Sequence, residues 1–123
     1  PARDIYSTNV VGTANVARAA AVQLAMTRGA TAVKLFPASI GGPGYLKALR
    51  DPFPGIPFIA VGGVGLGEAA GYWSAGAVAV GLGGPLFGDA GSGGDLAPVR
   101  ERARAFVALA AEFEDRTAAE RRP

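Results

Sequence analysis

The stretch 29-GATAVKLFPASIGG-42 decides how the rest of the chain is read. A glycine opens it, the β-prone segment TAVKLF (31–36) follows, and Pro37 closes it. A short run rich in β-branched and aromatic residues, bounded by Gly and Pro, reads as a strand. Inside that apolar run stands Lys34, one of two lysines in a chain that otherwise uses arginine, the other being Lys47. Side chains alternate along a strand, so Ala32, Lys34 and Phe36 share one face and Val33 and Leu35 the other.

Outward from this strand, helices and strands alternate. Residues 13–28, TANVARAAAVQLAMTR, hold no Gly or Pro, with Thr13 placed to cap the start and Gly29 just past the end, which predicts a helix. Residues 43–50 carry Tyr45, Leu46 and Leu49 at helical spacing before Asp51-Pro52. PFIAV (57–61) reads as a second strand, stopped by Gly62-Gly63. Residues 66–75 put Leu66, Ala70 and Trp73 on one helical face ahead of Gly76, and AVAVGL (77–82) reads as a third strand ending at Gly83-Gly84. PLFGDAGSGG (85–94) reads as a loop. Asp95 then caps a long helix whose buried stripe is Val99, Ala103, Phe106, Ala110 and Phe113, with a frayed tail expected at 117–123. Short apolar strands alternating with helices imply an α/β fold with parallel strands covered on both faces. Each strand runs into a Gly-rich or Pro-rich loop, at the edge where such folds keep their active sites.

Composition narrows the chemistry. The 123 residues include neither cysteine nor histidine. Disulfides, thiolate nucleophiles, imidazole metal sites and a Ser-His triad are therefore excluded. Acid–base work falls to carboxylates, Lys, Tyr or a substrate group. The net charge is +2 and the basic residues are scattered, unlike the dense basic stripe of a nucleic-acid surface. No apolar run is long enough to span a bilayer and no signal-peptide pattern occurs, so a cytoplasmic protein with no membrane or nucleic-acid partner is expected. On the inward face of a barrel, Lys34 would lose water, favouring the neutral amine that forms a Schiff base with a ketone. The alternative is a lysine at a strand end that reaches to solvent.

Four segments carry a family resemblance: GATAVKLFPAS, GGPGYLKALRDPFPGIPF, VGGV and GAVAVGLGG. Together, from about residue 21 to about 113, they resemble the C-terminal half of the 2-keto-3-deoxy-6-phosphogluconate (KDPG) / 4-hydroxy-2-oxoglutarate (KHG) aldolases. These are class I aldolases with a TIM-barrel fold, usually trimeric. The resemblance implies a partial TIM (β/α) barrel of three parallel strands, with a fourth short strand near Tyr6–Val11. It implies Lys34 as the Schiff-base lysine, with Phe36 and Pro37 shaping the pocket beside it. It places Gly62, Gly63, Gly83 and Gly84 at a phosphate site, where backbone N–H groups free of side chains can approach an anion; spacing alone leaves simple tight turns equally open. The implied partners are a small 2-keto acid and further copies of the chain, without metal or organic cofactor.

This sequence departs from the family pattern in three ways. Val61 stands where a threonine precedes the first Gly-Gly, and Pro85 stands where a serine often follows the second, so two hydroxyls are missing. The family's acid/base glutamate and the arginine and threonine that hold the substrate carboxylate lie on earlier strands and have no counterpart here. Glu68 is the carboxylate nearest in sequence to the strand-end loops and is expected in the first turn of its helix. Residues 1–20 form a separate segment. Through Asn9, Gly12 and Thr13 in 9-NVVGTANV-16 it resembles a helix of the extended short-chain dehydrogenase/epimerases, though no Gly-rich phosphate loop accompanies it. A partial barrel would expose two sheet edges and an apolar face, so the isolated chain is expected to be marginally stable or to self-associate.

Overall fold

The computed structural model describes residues 21–121. The chain divides between Val33 and Lys34 into two compact units. In the first, helix α1 (residues 21–27) ends just before Gly29, and the Ala30 N–H returns to the Ala25 carbonyl at 3.1 Å. The expected start of this helix at Thr13 and the expected strand near Tyr6–Val11 lie outside the described residues.

The second unit carries the sheet. Strand β1 (Val33–Leu35) begins at its border, followed by α2 (Gly42–Arg50), β2 (Phe58–Val61), α3 (Leu66–Ser74), β3 (Ala79–Gly81), α4 (Gly84–Phe87) and α5 (Ala97–Glu120). The strands lie in the order β1-β2-β3. β2 and β3 pair in parallel, with Ile59 opposite Ala79, Ala60 opposite Val80 and Val61 opposite Gly81. The architecture is α/β, three parallel strands with flanking helices: part of a (β/α) barrel. Each strand is shorter than the apolar run that predicts it, because the flanking residues turn into loops before pairing.

The core sits where β2 meets the helices. Phe58 and Ala60 alternate with half-buried Ile59 and Val61, and Phe58, Leu46, Val64 and Tyr72 are the largest fully buried side chains. Burial of an aliphatic or phenyl side chain of this kind contributes about 1.5–3 kcal/mol. α3 is the central helix, touching α2 on one side and α5 on the other. That position corrects the expected face: Ala69 and Tyr72 are buried, while Leu66 is 45% exposed. A helix held between two neighbours buries a wider arc than the single stripe 66-70-73, and the arc is centred one residue away. Trp73 still packs inward, its ring centroid 5.8 Å from that of Phe113 on α5.

Two arginines hold helix ends together. The Arg50 guanidinium lies against Gly76, where any Cβ would collide with it, and donates to the Ala75 carbonyl at 3.2 Å. Arg102 donates to the Leu86 and Phe87 carbonyls at 2.6 and 3.2 Å. Cations placed on the last carbonyls of a helix satisfy acceptors that have no partner within it. The second case explains why 85–94, expected to be loop, contains α4 and a 3-10 turn at Ala90–Ser92. Pro85 pre-sets the first turn of α4, and Arg102 closes its end. The N-cap of the long helix is Leu96 and not the expected Asp95; Asp95, one residue earlier, accepts the Ala97 N–H at 3.0 Å and so still satisfies a free N–H of the first turn. α5 runs past the expected limit at Thr117 to Glu120, with the Thr117 hydroxyl donating to the Phe113 carbonyl at 2.8 Å. Among the described residues no helix is long and apolar enough to cross a membrane.

Candidate active site

Parallel strands release their following loops at one edge of the sheet. Phe36-Pro37, Gly62-Gly63 and Gly83-Gly84 all leave from that edge, after β1, β2 and β3 respectively. Between β1 and β2 the chain closes tightly. After the cis Phe36–Pro37 peptide comes a 3-10 turn, Ala38–Ile40. Ala38 is buried, and the Ser39 N–H donates to the Gly62 carbonyl at 3.1 Å. This bond ties the loop after β1 to the end of β2.

Gly62 and Gly63 make that closure possible. Both have positive φ, +93° and +73°, a conformation open to glycine at little cost. A Cβ on Gly62 would lie 2.7 Å from the Phe36 ring and 3.1 Å from the Pro37 Cα. A Cβ on Gly63 would lie 2.8 Å from both Cβ and Oγ of Ser39. The Phe36 ring, held over Gly62, carries the lysine: Lys34 Nζ is 4.9 Å from its centroid. A cation–π contact at an exposed site contributes about 0.5–1 kcal/mol. Lys34, Phe36, Pro37, Gly62 and Gly63 thus form one cluster.

Lys34 itself is exposed on β1, whose burial alternates between half-buried Val33 and Leu35 and the open lysine. The expectation of a buried amine is corrected here. Among the described residues the lysine side of β1 is open to water, with the Phe36 ring, itself 64% exposed, beside the lysine. Gly83 and Gly84 are exposed, with open space around the position of a Cβ on either. Glu68 lies in the first turn of α3, where its Oε2 would be 2.6 Å from a Cβ on Gly65. A carboxylate there is favoured by the N-terminal end of the helix. Glu68 and, more strongly, burial push the Tyr72 phenol above its ordinary pKa. Beside the strand-end loops, a groove of about 310 Å³ is lined by Leu66, Pro85, Glu101, Arg102, Ala105 and Phe106. It contains none of the residues predicted for the site.

Ser39 is the residue that sequence reasoning passed over. Its place directly after the Phe-Pro-Ala turn was a usable signal, because a serine there is carried to the end of the neighbouring strand.

The fold and this edge define a parallel α/β unit with a lysine on its first strand and glycines at the ends of the next two. The chain belongs to the KDPG and KHG aldolase family, whose model matches residues 3–101. It is 48% identical over 58 residues to a 2-dehydro-3-deoxy-phosphogluconate aldolase of Pseudomonas aeruginosa, covering 46% of this chain and 26% of that protein. It is 39% identical over 84 residues to a 2-dehydro-3-deoxy-6-phosphogalactonate aldolase of Escherichia coli, covering 68% of this chain and 40% of that one. Among solved structures, one described as native KDPGal superposes with a TM-score of 0.71 at 36% identity, over 79% of this chain and 46% of the other. A designed cube-shaped protein cage made by fusing symmetric oligomeric domains superposes at 0.72 with 34% identity, over 83% of this chain and 37% of the other. The chain therefore spans between about a quarter and two fifths of the length of the curated relatives it matches.

Proposed function

We propose that this chain carries class I aldolase chemistry on a 2-keto acid, with Lys34 as the Schiff-base residue. The observation that supports it best is the cluster in which Gly62 seats Phe36 and Phe36 seats Lys34 at the loop edge of a parallel sheet. In the proposed reaction the neutral Lys34 amine attacks the C2 ketone and water leaves. The protonated imine so formed is an electron sink. Removal of the C4 hydroxyl proton breaks the C3–C4 bond, the C4 fragment leaves as an aldehyde, and the electron pair stays on C3 as an enamine. Protonation of C3 and hydrolysis release pyruvate and regenerate the amine. The substrates in view are KDPG, giving glyceraldehyde 3-phosphate, and KHG, giving glyoxylate. In this reading Phe36 and Pro37 shape the pocket wall, and the backbone N–H groups around Gly62-Gly63 and Gly83-Gly84 receive a substrate phosphate.

A second reading follows from the position of Glu68. Its carboxylate lies at Gly65, and among the described residues it makes no ion pair with the lysine, which needs a proton-transfer partner. In that reading the chain forms the imine but does not cleave. Self-association belongs to either reading, and the exposed Ile40, Leu96 and Val107, at 82%, 70% and 70%, are surfaces it could cover.

The test is pyruvate release from KDPG and from KHG by the full chain and by Lys34→Arg, which stays cationic but cannot form the imine. Release by the parent and none by the variant supports the proposal. Equal release from both would rule out Lys34. No release from the parent, with imine formation retained, favours the second reading.

A further inference from the structure

The geometry points to Ser39 as the side-chain donor that binds the phosphate of the substrate at the end of β2. This inference rests on the proposed phosphate role of Gly62-Gly63 and names the group that completes it. A phosphate is bound by several converging donors, and backbone amides alone leave some of its oxygens without partners. The four positions flanking the glycine pairs offer no hydroxyl: Val61 and Val64 at the first, Leu82 and Pro85 at the second, and proline has no N–H either. The N-terminus of α3 is also compromised as an anion site, because the Glu68 carboxylate occupies its first turn, next to Gly65. The β1 side of the loop edge offers a donor that these positions do not.

Ser39 stands there. Its Oγ is 2.8 Å from the position a Cβ on Gly63 would take. The side chain is exposed, so the hydroxyl is reachable by a ligand in solution. Its backbone is fixed, since its N–H donates to the Gly62 carbonyl and the 3-10 turn around it is closed by Gly41 N–H to the Ala38 carbonyl at 3.3 Å. A hydroxyl on a turn held by two backbone hydrogen bonds, packed beside Gly63, is a ready second donor. It replaces the missing threonine and serine hydroxyls from a different strand end. The ligand class is a phosphorylated 2-keto acid, and KHG, which has no phosphate, would gain nothing from it.

The test is an NMR titration of the full 15N-labelled chain with inorganic phosphate, following the Gly62 and Gly63 amides. In Ser39→Ala the apparent Kd rises about tenfold, the loss of one hydrogen bond to a charged group, while Ser39→Thr restores it. Parent-like affinity in Ser39→Ala would overturn the role of Ser39 and leave the glycine site standing. Parent amides that do not respond to phosphate would overturn the glycine site, and the role of Ser39 with it.

Discussion

Two glycine pairs end two neighbouring strands, and they are built differently. At the end of β2 the space beside each glycine is already taken, by the Phe36 ring at Gly62 and by Ser39 at Gly63, and both residues have positive φ. At the end of β3 nothing lies within 4 Å of a Cβ on Gly83 or Gly84, and Gly84 is already the first residue of α4. In sequence the two pairs look alike. In the fold the first is a packing joint that carries the lysine, and the second is an open surface.

The difference can be broken first at Gly62. Gly62→Ala adds left-handed strain of about 1–2 kcal/mol and overpacking against Phe36 of about 1–3 kcal/mol. A loss of stability of about 2–4 kcal/mol is expected in urea denaturation. Under the proposed function, displacement of the Phe36 ring is also expected to slow imine formation at Lys34, whereas a stability loss below about 0.5 kcal/mol would show that the ring moves aside freely. Gly63→Ala comes next, with a loss of about 1–3 kcal/mol. Adding Ser39→Gly removes the Ser39 collision but not the φ strain, so the double variant recovers only part of it; full recovery or none in a double-mutant cycle would contradict this division.

Gly84→Ala has the opposite sign. With open space around it and a helical position, alanine stabilises by up to about 1 kcal/mol, and a clear destabilisation would mean that the second pair is packed too. The smallest effect is at Tyr72. Its phenol is held above pKa 10 by burial and by Glu68, so the folded state keeps its proton where the unfolded state loses it. The stabilising contribution is complete below pH 10 and declines as pH rises from 10 through the folded pKa. Tyr72→Phe should flatten that alkaline decline without changing the behaviour near neutrality.

Much of this was legible in the residues. The strand around Lys34, the glycine stops and the start of the long helix just after Asp95 follow from local rules. The register of α3 was not legible, because which face is buried depends on its contact with both α2 and α5. The 84–87 turn was also hidden: its end is closed by Arg102, on a helix that starts ten residues beyond it. Lys34 shows the limit most clearly. An apolar run predicts burial on both faces, but exposure is set by what lies across the strand, and neither Ala32 nor Phe36 carries that information. Ser39 and Gly63 are distant in sequence and meet only because β1 and β2 are neighbours.

The central claim is that Lys34 is a working Schiff-base amine. The most direct measurement is to incubate the full chain with pyruvate and borohydride and locate the reduced adduct by peptide mass spectrometry. The account predicts modification of Lys34 well ahead of Lys47, the other lysine of the chain. Equal labelling of the two, or none on Lys34 in folded protein, would contradict it.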